Sequence, residues 1–503
     1  MHGVGARNLG VLLVAVAVVL VAPGGVVGTG GSDATGAQDV KKQSDPENDV
    51  VGWEDGYWYD ESIAVDQSDG LTEAERRAYV GRAMARVERL RGQEFQERVE
   101  LKVLSRQQYR RIVRAQADAE FGPAQRAWEN QVWEALFAVN ESTDAAGEMV
   151  QLRQERIAGF YLPGTNDIYV IAESEDRPVV DNATLIHELT HALQDQQVGL
   201  SSPSLRAQTM DGRRGVDGLV EGEAMYVEKL YEHRCRSGWE CVTTPGPDPP
   251  EAPYEGGPLP DYNLAMQVAT IQPYSDGPPY VAARIGANET DGTDGNASEK
   301  NWSRLDYRRP PFGSEQVIDP ATDADPPPTL RLGEQATDGW RLYGKRGENG
   351  SQTVGEAGIY TMFWYQGRAY DNQVIPWREF DTADGPLDEF NYTSEPSDGW
   401  GNDRLWPYHD GEKRGYVWRT TWDTDEDAVE FERAYRELLA GQNATRVGRN
   451  TWVVRRGGFE DAFHVVRDGK RVTIVNGPTV ESLTEIRPSI EIRAAQDGCD
   501  CGQ

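Results

Sequence analysis

Basic residues are scarce in this chain. Its 503 residues hold 51 Lys and Arg against 83 Asp and Glu, a formal net charge of -32. No basic stripe stands out, which excludes nucleic acid as a partner. Long apolar runs are missing after residue 22, so a multi-span membrane protein is excluded as well. Cysteine is sparse, with four residues, and histidine nearly so, with six. Aromatics are not lacking: 14 Trp and 21 Tyr are too many for a disordered acidic polymer. A charge this negative repels itself in dilute buffer. In molar salt the Debye length falls to about 3 Å and the repulsion is screened, which fits a protein living in brine.

The single apolar run, Leu9 to Ala22, follows Arg7 and precedes the small residues from Pro23 onward. It is short for a stable membrane helix and reads as a secretory signal over residues 1–28. With no clear A-x-A cleavage site, an uncleaved anchor stays open. Neither a twin-Arg pair nor a following Cys points to a lipid anchor. Export to the exterior or cell surface agrees with eight N-x-[ST] sequons, at Asn140, Asn182, Asn288, Asn296, Asn301, Asn349, Asn391 and Asn443. Outside the cell an even Cys count suggests disulfides. Cys235 and Cys241 can close a short loop, whereas Cys499 and Cys501 are too close for an easy mutual bond.

Residues 29–70 read as an acidic Gly/Ser/Asp-rich linker that docks late. Leu71, Ala74, Ala78, Val80, Ala83, Val87 and Leu90 recur near the helical period, with a Thr72/Glu75 capping box at the start. The Arg-rich face of that helix is expected to be solvated. Val99–Leu104 alternates like a strand, and 106–148 reads as further helix. Phe160–Tyr161 and Ile168–Ile171 flank Pro163-Gly-Thr-Asn-Asp, a hairpin signal. Residues 321–353 look like a boundary. Beyond it, strand-like runs at 416–422, 451–454, 463–466 and 471–475 surround a helix over 425–439, a second α+β region spanning 354–493 with a Cys-containing tail at 494–503.

The stretch Leu185-Ile-His-Glu-Leu-Thr-His-Ala-Leu carries chemistry. Its HELTH at 187–191 matches H-E-x-x-H. On a helix, His187 and His191 lie four apart on one face and can grip one metal ion, and Glu188 can take a proton from the attacking water. Asp181 and Asn182 are capping candidates before it, and Gly199 a C-cap after it. A hydrolytic zinc site needs a third protein ligand. Gln197 stands where a third His six residues on would be, so a carboxylate from a later helix is expected. Glu221 and Glu223 both lie in Gly218-Leu-Val-Glu-Gly-Glu-Ala-Met-Tyr-Val-Glu, and being two apart they cannot both face one metal. Asp195, one turn after His191, is a candidate to orient a His ring. Tyr274, Tyr280 and Tyr307 are candidate oxyanion donors.

LVEGEAMYVE resembles the N-E-G-x-A segment of gluzincin peptidases, in which the Glu before Gly is the third ligand; here that is Glu221, with Glu223 as competitor. The order of segments over about residues 71–490 resembles a group of bacterial and haloarchaeal secreted zincin-like surface proteins. Among these segments are HELTHALQDQQ, LVEGEA, Pro273-Tyr-Ser-Asp-Gly and Gly399-Trp-Gly-Asn-Asp-Arg. The resemblance implies an α+β chain with a zincin-like catalytic domain at 71–320. It implies Zn2+ held by His187, His191 and Glu221, with Glu188 as base. The expected activity is that of a secreted halophilic metallohydrolase acting on peptide or protein, with an envelope association. The alternative is a non-enzymatic surface glycoprotein that keeps the scaffold; a zinc-activated amidase also stays open.

Overall fold

A computed structural model describes residues 44–245, 258–287, 301–321, 327–333, 335–344, 346–382 and 385–492. The N-terminal signal, Asn288, Asn296, Cys499 and Cys501 lie outside them. The chain is mixed α+β. A short hairpin, β1 (Trp53–Glu54) and β2 (Tyr57–Trp58), precedes α1 (Glu73–Arg91). The capping box at Thr72 is present: its hydroxyl accepts from the Glu75 amide at 3.2 Å, and the Glu75 carboxylate accepts from the Thr72 amide at 2.8 Å.

The Arg-rich face of α1 is solvated only in part: Arg77 and Arg89 are exposed. Arg82, Arg86 and Arg91 are all buried. Arg86 lies 4.8 Å from the Trp239 ring centroid and donates to Tyr59 O at 2.8 Å, and Arg82 donates to Glu61 O at 3.2 Å. These guanidinium groups tie residues 52–61 onto α1, so that part of the expected linker is packed structure. A delocalised cation that stacks on aromatics and donates to carbonyls tolerates burial that periodicity alone does not reveal.

β3 (Glu100–Ser105) leads into α2 (Arg106–Glu120), α3 (Pro123–Ala135) and α4 (Ala145–Arg156). The single helical stretch read over 106–148 is therefore broken. Pro123 starts a new helix after Gly122, and Phe137 adopts a left-handed φ of 53°. β4 (Gly159–Leu162) and β5 (Asp167–Ala172) form the expected hairpin. β5 lies between β3, parallel to it, and β4, antiparallel and at the sheet edge. The motif helix α5 (Asn182–Val198) follows, then α6 (Met210–Ser237), α7 (Leu264–Ser275), α8 (Gly277–Ile285) and the short α9 (Glu315–Ile318). One core joins α1, α5, α6 and α8 through residues such as Val87, Leu185, Leu189, Leu219, Val227 and Val281.

β6 (Arg341–Leu342) and α10 (Glu356–Ala369) open the C-terminal region. There follow β7 (Trp400–His409), β8 (Arg414–Trp422), α11 (Asp425–Gly441), β9 (Thr445–Gly448), β10 (Thr451–Val453), β11 (Ala462–Asp468), β12 (Arg471–Gly477) and α12 (Val480–Ile486). Its seven strands pair antiparallel in the order β6-β7-β8-β12-β11-β10-β9. One face packs an aromatic core with α3, α7, α10 and α11, including Trp364, Trp418 and Phe431. Cys235 and Cys241 are bonded, Cα atoms 5.6 Å apart, and close the turn at the end of α6.

Candidate metal centre

Asp181 caps α5, its carboxylate accepting from the Thr184 amide at 3.1 Å, and Gly199 ends the helix. Apolar Leu185, Ile186, Leu189, Ala192 and Leu193 face the core. The remaining stripe, His187 and His191, is thereby turned toward α6. Glu221 meets it there. Glu221 Oε2 lies 3.2 Å from His187 Nε2 and 3.1 Å from His191 Nε2, and the two Nε2 atoms are 3.1 Å apart.

Three ligand atoms on a triangle of this size fit one zinc ion. The edge of a tetrahedron whose corners lie 2.0–2.1 Å from its centre is about 3.3 Å. A buried carboxylate facing two imidazole nitrogens is a setting that favours positive charge among them. Burial alone would raise the Glu221 pKa, but His191 and His187 outweigh it and hold the carboxyl well below its ordinary range. Burial would lower His187, yet its contacts with Glu221 and Glu228 push it up to about 10. Glu188 is fully buried; the Tyr161 backbone amide favours its charged form, and no side chain among the described residues hydrogen-bonds its oxygens. Burial raises its pKa to about 7 against the pull of the two histidines.

Glu223 goes elsewhere. It forms a buried ion pair with Arg91 and accepts from the Tyr307 hydroxyl. Of the two competing carboxylates, α6 therefore presents Glu221 to the histidines and Glu223 to α1. Gly222, between them, faces α8. A Cβ there would lie 2.6 Å from the Gly277 carbonyl carbon, so it is α8 that packs against this bare helix face.

Asp195 does not orient a His ring. Its carboxylate accepts from Tyr161 Oη at 2.8 Å, the Gly164 amide at 2.7 Å and the Leu200 amide at 2.7 Å, pinning the β4–β5 hairpin to the end of α5. The residues that do face the outer ring nitrogens are Gln194 and Glu228. Gln194 Oε1 is 2.8 Å from His191 Nδ1, while Gln194 Nε2 donates to Val220 O and Tyr307 Oη, both at 3.0 Å. The two donations fix which way the amide points, and so make Nδ1 the protonated nitrogen of His191 and leave Nε2 free for a metal. Glu228 Oε2 is 3.3 Å from His187 Nδ1. A signal for both was available: Gln194 is three residues after His191, and Glu228 is seven after Glu221, hence on the same helix face.

The three tyrosines divide. Tyr307 spends its hydroxyl on Glu223 and Gln194, and Tyr280 packs its ring 5.1 Å from the Arg284 guanidinium carbon. Tyr274 stays at the site, its ring 6.1 Å from that of His187. It borders a cleft of about 480 Å³ between α3–α4 and α6–α7, with Glu221 in its lining. His187 and His191, 1 % and 0 % exposed, do not line it. Asn182 is held on all sides: its side-chain oxygen accepts from Tyr79 Oη at 2.6 Å and Tyr231 Oη at 3.0 Å, and its amide donates to Val242 O. That leaves the sequon at the start of α5 without a free amide for a glycan.

A family described as "Domain of unknown function (DUF8575)" matches residues 340–487, which is β6 through α12. The triad and its supporting residues lie outside that segment. No curated protein and no solved structure matches the chain.

Proposed function

We propose that this chain is an exported, salt-adapted zinc hydrolase of gluzincin type, with peptide or protein as substrate. The observation that carries the reading is the convergence of His187, His191 and Glu221 beside a buried Glu188 that no side chain among the described residues engages. A purely structural metal has no need of Glu188. A zinc ion held there supplies Lewis-acid polarisation of a carbonyl and makes water acidic enough to lose a proton near neutral pH.

The chain's own residues do the rest. His187 Nε2, His191 Nε2 and Glu221 Oε2 hold the metal. Gln194 and Glu228 hold the two rings in place. Glu188 receives the proton of the attacking water on a carboxylate oxygen and returns it to the leaving nitrogen. Strand β4, at the edge of its sheet, has a backbone edge with which an extended chain can pair. The zincin-like scaffold belongs to this reading, as does export; the Cys235–Cys241 bond supports an oxidising compartment. Among the described residues no helix is long and apolar enough to cross a membrane.

The rival, a surface scaffold with a structural metal, is favoured by the near-complete burial of both histidines. A Glu188→Gln variant separates the two. It should keep one zinc per chain and lose peptide or amide hydrolysis by about 10²–10⁴-fold. Unchanged hydrolysis in that variant rules out Glu188 as base. No hydrolysis by the parent chain against a broad peptide library favours the scaffold.

A further inference from the structure

The cleft whose lining includes Glu221 is not chemically uniform. One wall, from the end of α2 through α3 and α4, carries the apolar Phe121, Trp133, Met149 and Leu152, with Glu120 and Glu129 among them. The same wall carries Arg153. In a chain with 83 acidic and 51 basic residues, most Arg side chains are expected to find a carboxylate. The cleft's other cations are spent. Arg213 is paired with Asp217 at 2.9 Å, and the buried Arg214 donates to Ala269 O at 2.9 Å and Val354 O at 2.7 Å. Arg153 is half-buried and makes no hydrogen bond or ion pair among the described residues. The carboxylate that feels its charge, Glu129, already accepts from Gln125 Nε2 at 2.7 Å.

We infer that this cleft binds an extended peptide by seating an apolar side chain against the α3–α4 wall and pairing a carboxylate of the peptide with Arg153. A planar guanidinium with a free fork matches a carboxylate in two parallel hydrogen bonds. The carboxylate can belong to an Asp or Glu side chain or to the peptide's C-terminus; the chemistry is shared. Asp217 and Arg213, also in the lining, lie on α6 one and two helical turns before Glu221. Those two turns span about 12 Å, the reach of about four extended residues. The assignment of substrate class rests on the hydrolase reading, but the binding it requires does not.

The test is binding to the full-length, zinc-loaded Glu188→Gln protein in molar salt, read by fluorescence anisotropy. The probes are labelled hexapeptides containing Phe and either Glu or Lys, each with a free or an amidated C-terminus. Probes that carry the carboxylate, as a Glu side chain or as a free C-terminus, should bind about tenfold more tightly than those that lack it, the effect expected of one charge-assisted pair. Arg153→Glu should reverse that preference and Arg153→Gln should abolish it, with near-UV circular dichroism and zinc content unchanged in both. Loss of affinity on amidation assigns the C-terminal carboxylate; indifference to amidation assigns the side chain. Binding that distinguishes neither Glu from Lys nor a free from an amidated C-terminus, no binding of any probe, or a preference that survives in both Arg153 variants overturns the inference. Selective binding without cleavage by the parent chain leaves it standing and sinks the hydrolase instead.

Discussion

Replacing Glu221 and Glu223 one at a time tests the site most sharply, because the two residues are two apart and face different neighbours. Glu221 Oε2 touches both imidazole Nε2 atoms at 3.1–3.2 Å. Glu221→Ala removes a metal ligand. The loss in zinc affinity should exceed the about 10–100-fold typical of groups one shell further out. Glu223→Ala leaves all three ligands but strips the carboxylate from Arg91, whose side chain is 7 % exposed. An unpaired buried guanidinium costs about 3–5 kcal/mol, so this variant should be the less stable protein and still bind zinc. The assay is zinc content by mass spectrometry beside thermal unfolding in molar salt, with and without chelator. Zinc at 100 times its dissociation constant adds about 2.7 kcal/mol to the native state. The parent chain and Glu223→Ala should therefore lose melting temperature on chelation, and Glu221→Ala should not. Zinc retained in Glu221→Ala and lost in Glu223→Ala would refute the ligand assignment.

Gln194→Ala and Glu228→Ala should each weaken zinc binding by about 10–100-fold without changing the ligand count, as measured by competition with a chelator. Unaltered affinity in both means the rings are held by packing alone. Dilution from molar to about 0.1 M salt lengthens screening from about 3 to about 10 Å, so near-UV circular dichroism should collapse for a chain of net charge -32; a native signal in dilute buffer contradicts salt adaptation. Stability in molar salt should fall as pH rises from about 5 to about 9. Burial raises Glu54 to about 7, Glu315 to about 8 and Glu88 to about 9, against an ordinary 4.5. These groups stay protonated in the fold while the unfolded chain ionises, so their contribution is full below the ordinary value and is lost through the raised ones. Denaturant midpoints that climb with pH over that window would reverse the sign and refute it.

Local pattern sufficed for elements whose own residues carry both the signal and the cap. The Thr72 box, the α5 helix between Asp181 and Gly199, the 159–172 hairpin and the β11–β12 hairpin are of this kind, as hydrogen bonds between near neighbours decide them; β7, which pairs with β6 and β8, escaped the local pattern. The H-E-x-x-H spacing placed two ligands on one face for the same reason. Sequence spacing said that Glu221 and Glu223 could not both face the metal, but not which would. Packing decided that: Gly222 lets α8 press on α6, and the buried Arg91 on α1 claims Glu223, which leaves Glu221 to the histidines. Tertiary contacts likewise buried part of the Arg face of α1, sent Asp195 to the hairpin and brought Gln194 and Glu228 to the rings. They also left Arg153 without a partner in the cleft. Each of these outcomes depends on which distant element fills the space beside a helix face, and helical periodicity specifies the face without naming the neighbour.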